Sequence, residues 1–153
     1  MDAVVARFAN AYGATLLSDD TRAVSQFILK SAYGKDIVLQ SAGEQYDSYL
    51  YVADAVTGLL AVMLKGKCGE AYNIADKASD IRLKDLAELI AKKSGKKVVY
   101  ELPDEIEKAG YSTTAKARLD STKLRKLGWQ AGYTIEQGIG NTLSIIKNLI
   151  ENG

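Results

Sequence analysis

The sequence contains no histidine, one cysteine (Cys68) and one proline among its 153 residues. The first absence removes Ser-His-Asp and Cys-His nucleophilic catalysis and imidazole acid/base work; with the second it removes His- or Cys-ligated zinc and iron–sulfur sites. A single cysteine closes no internal disulfide. An excess of charge is missing too: Lys+Arg of 20 against Asp+Glu of 19 leaves a formal +1, so no global field recruits nucleic acid or an anionic membrane. Long apolar runs are lacking, the opening Ala3-Val4-Val5-Ala6 being far too short for a signal-peptide core or a membrane span, and a cytoplasmic location is expected. What is present, 47% hydrophobic and 25% charged residues with 13 Gly, is the composition of a globular chain about one domain long, able to fold without staples.

Patterning gives an alternation of strands and helices, and so an α/β chain without internal repeat or linker. Residues 3–8 read as a buried strand of a parallel sheet, ending in Asn10-Ala11-Tyr12-Gly13. Asp20 or Thr21 is placed to cap a helix with apolar positions Val24, Phe27, Ile28 and Ala32, stopped by Gly34. Short strands follow at 37–39 and 48–52, around a turn at 43–45, and Asp54 is a natural N-cap for the helix carrying Val56, Leu59, Leu60, Met63 and Leu64. A strand over 71–75, an amphipathic helix through Leu83, Leu86, Leu89 and Ile90 ended by Gly95, and an edge strand over 97–101 come next. Residues 104–115 lack a pattern and read as an ordered loop. Asp120 is expected to cap a short helix through Leu127, and Thr134 with Gln137 forms a capping box for a last helix striped by Ile135, Ile139, Leu143, Ile146, Leu149 and Ile150.

Few groups carry chemistry by themselves. Gly138-Ile139-Gly140 lies inside the last helix, with Leu143 where a dinucleotide turn needs its third glycine, and no phosphate-binding Gly-x-x-x-x-Gly-Lys-Ser/Thr is present. Asp104, Glu105 and Glu107 are adjacent rather than opposed, as in a solvated loop. Lys92, Lys93, Lys96 and Lys97 suit a solvated helix end, and Cys68 is a lone thiol in a turn. Asn10 differs. It follows a strand at the edge where open α/β sheets place ligands, and its amide both donates and accepts.

Four segments, in order, resemble one family. Arg7-Phe8-Ala9-Asn10-Ala11-Tyr12-Gly13 is similar to an Arg-Pro-x-Asn-x-Tyr-Gly-Pro element, and Tyr49-Leu50-Tyr51-Val52-Ala53-Asp54-Ala55-Val56 to a Phe-x-Tyr-Val-x-Asp-Val-Val junction. Gly69-Glu70-Ala71-Tyr72-Asn73-Ile74-Ala75 resembles Gly-x-x-Tyr-Asn-Ile-Gly, and the stretch from Arg118 and Asp120 through Lys123 to Leu127-Gly128-Trp129 resembles Asp-x-x-Lys-x-x-x-x-Leu-Gly-Trp. All four belong to the extended short-chain dehydrogenase/reductases that act as NAD-dependent nucleotide-sugar epimerases, dehydratases and decarboxylases.

The resemblance is to the C-terminal half of that family. It implies a Rossmann-type α/β fold reduced to its last core strand, within residues 3–13, plus the small substrate-binding α/β domain, the whole of 1–153 forming one unit. The family's Gly-rich NAD turn and its catalytic Tyr-x-x-x-Lys belong to the other half, and no tyrosine here has a lysine four positions on. By resemblance Asn10 hydrogen-bonds the UDP- or dTDP-sugar substrate, Arg118 reaches its pyrophosphate, Asn73 lines the pocket, and the backbone at Phe8 and Ala9 passes the nicotinamide end of NAD. Asp47 stands where the family often has a phosphate-binding arginine, so either Arg22 or Arg118 is expected to compensate, or the substrate is bound differently from the common dTDP- and UDP-hexoses. The chain is thus expected to be a substrate-binding fragment, inactive alone and without tight NAD binding, whose partner is the missing Rossmann half. With both edges of residues 3–8 open, self-association through that strand is expected as well. The alternative is a stand-alone, non-catalytic nucleotide-binding or protein-interaction module.

Overall fold

A computed structural model describes residues 3–17, 19–101 and 116–152, together with the backbone but not the side chains of Lys116 and Ala117. The expected loop at 104–115 falls outside the described residues. Among the described residues, eight strands and five helices alternate. Strand β1 (Val5–Phe8) runs into β2 (Asn10–Tyr12), followed by helix α1 (Ala23–Ala32), β3 (Ile37–Leu39) and β4 (Tyr46–Tyr51). Helix α2 (Val52–Lys65) leads to β5 (Ala71–Ile74), a 3-10 turn at Lys77–Ser79, β6 (Asp80–Arg82), α3 (Leu83–Ser94) and β7 (Val98–Tyr100). After the undescribed segment come β8 (Lys116–Ala117), α4 (Thr122–Arg125) and α5 (Ile135–Asn152).

The described strands form three small sheets. β1 pairs in parallel with β5, Val5 opposite Ala71 and Phe8 opposite Ile74. β2 pairs in parallel with the second half of β4, Asn10 opposite Tyr49, while the first half of β4 pairs antiparallel with β6 and parallel with β8. β3 and β7 form a parallel pair. The chain therefore changes partner at Ala9, whose N–H donates to Ile74 O at 3.0 Å before β2 turns to β4.

Among the described residues two clusters form the core. In one, the inner faces of α1, α3 and α5 meet β3, Tyr12 and Tyr49 through Phe27, Ile28, Leu86, Ile90, Ile139 and Leu143. In the other, Leu50, Val62, Tyr72, Ile74, Leu124 and Trp129 join α2 and α4 to β5, with Val4 and Ala6 against them. Helix α2 approaches β5 closely because position 58 is glycine; a Cβ there would strike Ile74 Cγ2 and lie 3.3 Å from Trp129.

Local signals read from the sequence hold at the end of α1 and the start of α5. Gly34 adopts φ +79° and closes α1 in a Schellman motif, Lys35 N–H donating to Lys30 O and Gly34 N–H to Ser31 O. The Thr134/Gln137 capping box forms in both directions, at 2.9 and 3.2 Å. Other expectations are corrected. β1 is not buried: Val5, Arg7 and Phe8 are exposed, because one edge pairs with β5 and one face meets α2 while, among the described residues, the remaining edge has no strand beside it. Nor are both its edges open, since β5 takes one. The N-cap of α1 is Arg22 rather than Asp20 or Thr21, and Asp20 instead accepts from Arg22 N–H two residues ahead. α2 starts at Val52, so Asp54 lies in its first turn and does not cap it. α4 is a single turn capped at Ser121, with Asp120 accepting from Thr122 N–H at 2.8 Å.

Candidate functional site

The loop that leaves β5, the 3-10 turn and the approach to α4 converge on an open cleft of ≈ 290 Å³ lined by Lys77, Asp80, Arg118, Leu119, Asp120, Ser121 and Arg125. Its position follows from β4: Tyr46 pairs with both Arg82 and Lys116, so β6 and β8 flank that strand and bring Asp80 and Arg118 to either side of it, level with Ser48. The Arg118 guanidinium lies 5.2 Å from the centroid of the Tyr46 ring, a cation–π contact that orients a planar, always-charged donor at the mouth of the cleft.

Charge in the cleft is unequally committed. Asp80 accepts from Ser48 Oγ at 2.6 Å, and that same oxygen accepts from Leu119 N–H at 3.0 Å, locking the wall. Asp120 accepts from Thr122 Oγ1 at 2.6 Å and from Thr122 N–H, hydrogen bonds that hold its carboxyl below the usual carboxylate range, so it stays ionised. Against these two carboxylates stand Lys77, Arg118 and Arg125, an excess of one cation, with Arg125 donating to Thr122 Oγ1 at 3.2 Å. Arg125 also lines a second cleft of ≈ 390 Å³, with Ala75, Asp76, Trp129, Gly132 and Tyr133. That second wall is held by Asp54, only 3% exposed, whose two oxygens accept from Gly132 N–H at 2.7 Å and Tyr133 N–H at 3.2 Å. Trp129 Nε1 donates to Thr57 Oγ1 from the same helix, and the Tyr133 ring stands edge-on to Tyr51 at 5.0 Å.

The structure gathers some of the residues singled out in the sequence and separates others. Arg118 lines the first cleft. Asn73 stands behind it, donating through Nδ2 to Asp120 O at 2.9 Å, which fixes the cleft wall rather than presenting that donor to a guest. Asn10 is exposed at the start of β2 and lines neither cleft. Phe8 is half exposed, and the Ala9 amide is spent on Ile74 O. The Arg22 guanidinium is paired with Asp20 at 2.6 Å, donates to Ala11 O at 2.8 Å and lines neither cleft. Sequence reasoning missed Lys77, Arg125 and Tyr46. Arg125 sits inside the Leu-Gly-Trp segment and could have been found there; Lys77 lies on a three-residue turn with no pattern to announce it.

No group of three or more metal-ligating residues occurs among the described residues, and none of the described helices is long and apolar enough to cross a membrane. Residues 1–75 match the model of the NAD dependent epimerase/dehydratase family. Among curated proteins the chain is 31% identical to UDP-glucuronic acid decarboxylase 5 of Arabidopsis thaliana over 88% of its own length and 38% of that protein. It is 26% identical to mouse dTDP-D-glucose 4,6-dehydratase over 97% of its length and 42% of that protein. Among solved structures it superposes on the UDP-glucose 4-epimerase of Thermotoga maritima, solved with UDP-glucose, at a TM-score of 0.84 and 27% identity, covering 98% of this chain and 47% of that one. The chain thus spans less than half the length of each of these proteins, and it is related to nucleotide-sugar epimerases, dehydratases and decarboxylases, with residues 1–75 carrying the family match.

Proposed function

We propose that this chain is the C-terminal, substrate-binding part of an NAD-dependent nucleotide-sugar epimerase/dehydratase, and that it holds the diphosphate of the nucleotide sugar between Lys77, Arg118 and Arg125. The observation that carries this reading is the Arg118 guanidinium fixed over Tyr46 at the mouth of a cleft with two further cations. A diphosphate needs charge-assisted, partly bidentate donors, and guanidinium supplies them at fixed geometry. Asn10 is read as a sugar-side hydrogen-bonding residue, while Asn73 becomes a positioning residue that holds the Asp120 carbonyl. The adjoining cleft beside Trp129 offers an apolar wall to the rest of the guest.

NAD is implied by the family, yet the residues here do not by themselves fit it. The Ala9 N–H is already hydrogen-bonded, and the sequence has neither a Gly-x-x-Gly-x-x-Gly turn for the pyrophosphate nor a Tyr-x-x-x-Lys for the ribose and proton transfer. No hydride step is therefore assigned to this chain. Its own part is binding and orientation: cations at the diphosphate, carboxamide at the sugar, and a wall tied down by Asp54.

Isothermal titration with UDP, dTDP, UDP-glucose and inorganic pyrophosphate tests this. Arg118→Ala and Arg125→Ala are each expected to weaken UDP-glucose by at least about tenfold, the loss of one charge-assisted contact. Asn10→Ala is expected to weaken UDP-glucose but not UDP. Unchanged affinity in both arginine variants would end the assignment.

A further inference from the structure

Arg118 is the donor on which the proposed site depends, yet it follows a strand of only two residues. β8 pairs with β4 at two positions, Tyr46 with Lys116 and Asp47 with Ala117, and the ladder stops there. Past it the backbone is held by a side chain. Leu119 N–H donates to Ser48 Oγ at 3.0 Å, and Ser48 is only 1% exposed. A serine hydroxyl carries one proton and turns about its Cβ–Oγ bond, so its oxygen accepts in a fixed direction only when the proton is directed elsewhere. Here Ser48 donates to Oδ1 of Asp80, its partner across β4 and β6, at 2.6 Å, which leaves the lone pairs for Leu119.

The other end of the arginine is held by the same strand. Its guanidinium lies 5.2 Å from the centroid of the Tyr46 ring, and Tyr46 stands two residues before Ser48 on β4, where side chains share a face. Arg118 is thus fixed at its backbone through Ser48 and at its head by Tyr46. Among the described residues it has no ion pair to fix it otherwise.

We infer that Ser48 and Tyr46 are positioning residues, which set Arg118 in place before a diphosphate arrives, so that the affinity of the cleft for that group depends on both although neither lines it. The inference rests on the reading of the cleft as a diphosphate site. A long side chain that clamps an anion gives up rotamer freedom, and one already held gives up less. The same arrangement accounts for a carboxylate in the wall of an anion site: Asp80 orients the hydroxyl of Ser48 and acts on Arg118 through it.

Isothermal titration of inorganic pyrophosphate into the 153-residue chain tests this. Arg118→Ala gives the reference loss, at least about tenfold. Ser48→Ala, which leaves the Leu119 amide without its acceptor, and Tyr46→Leu, which removes the aromatic face, are each expected to weaken pyrophosphate by about threefold or more. Tyr46→Phe should retain most of the affinity. Both losses must run through Arg118. In an Arg118→Ala background neither substitution should weaken binding further, whereas in an Arg125→Ala background each should keep its full effect. A merely structural role would show in both backgrounds. Circular dichroism and thermal melts establish that the variants are folded; should the buried Ser48→Ala fail to fold, Tyr46→Leu, at a partly exposed ring, decides alone. Unchanged affinity in a folded Ser48→Ala or Tyr46→Leu chain, beside a loss in Arg118→Ala, would overturn the inference and leave the diphosphate site standing. So would losses as large in the Arg118→Ala background as in the wild type. Unchanged affinity in Arg118→Ala would end the diphosphate reading itself, and this inference with it.

Discussion

Two carboxylates, Asp54 and Asp20, show how one residue type serves distant or local ends. Asp54 lies in the first turn of α2, where a negative charge also suits the helix dipole, yet its oxygens reach across to the amides of Gly132 and Tyr133. Both would otherwise be donors without acceptors beside a wall of the candidate site. Asp20 acts within a few residues: its carboxylate accepts from the Arg22 side chain, from Arg22 N–H and from Ser25 Oγ at 2.7 Å, and these bonds hold its carboxyl far below the usual carboxylate range. A carboxyl depressed in the folded state adds stability above its unfolded value, about 3.9, and loses it as the pH falls through the acid range below. Asp20→Asn is therefore expected to cost about 1 kcal/mol at neutral pH, discounted for the exposure of Arg22, with the gap to wild type closing below about pH 4. Urea midpoints across pH check both sign and window.

Among the elements, α5 gives the sharpest contrast, because two of its glycines meet different neighbours. A Cβ at Gly138 would run into the Tyr12 hydroxyl and come within 3.0 Å of Tyr51 Cβ. That hydroxyl is held by donation to Ile135 O in a buried setting. At Gly140 the nearest atom is the mobile Lys93 Nζ, 3.6 Å away. Alanine in a helix interior normally gains about 1 kcal/mol over glycine. Gly140→Ala should realise much of that gain, whereas Gly138→Ala should destabilise by about 1–3 kcal/mol through overpacking. Thermal melts of the two variants should move in opposite directions.

The end of α1, the start of α5 and the helical stripes were legible for local reasons. The Gly34 stop and the Thr134/Gln137 box depend on residues close in sequence, and the stripe of α5 on a repeat within one segment. β6 and β8 were not legible, being three and two residues long and defined only by pairing with β4. The misreading of Asp54 has the same cause in another form: its partners are backbone amides, which carry no letter in the sequence. Burial of β1 was overestimated because an apolar run reports what a strand can cover, and its neighbours decide what is covered.

For the molecule as a whole, the candidate site was half visible. Arg118 entered through a family resemblance, but its company of Lys77, Arg125 and Tyr46 arises from strand order and a short turn. Asn10 and Arg118, both assigned to substrate, stand at separate places, so a nucleotide sugar touching both must span part of the surface. Without a Tyr-x-x-x-Lys, the chain mixed with UDP-glucose and NAD is expected to give no NADH absorbance and no epimerised, dehydrated or decarboxylated sugar by NMR. Sustained turnover would show that other residues of this chain carry the chemistry.

Phe8 closes the first ladder, Asn10 opens the second, and only Ala9 stands between them. Because side chains alternate in strands, removing or adding a single residue there would turn one whole ladder over, sending its core-facing side chains to water or Asn10 to the opposite surface. Point substitutions at this place are graded in their effect; insertions and deletions are all-or-none. The chain can change its letters at this junction but not their number.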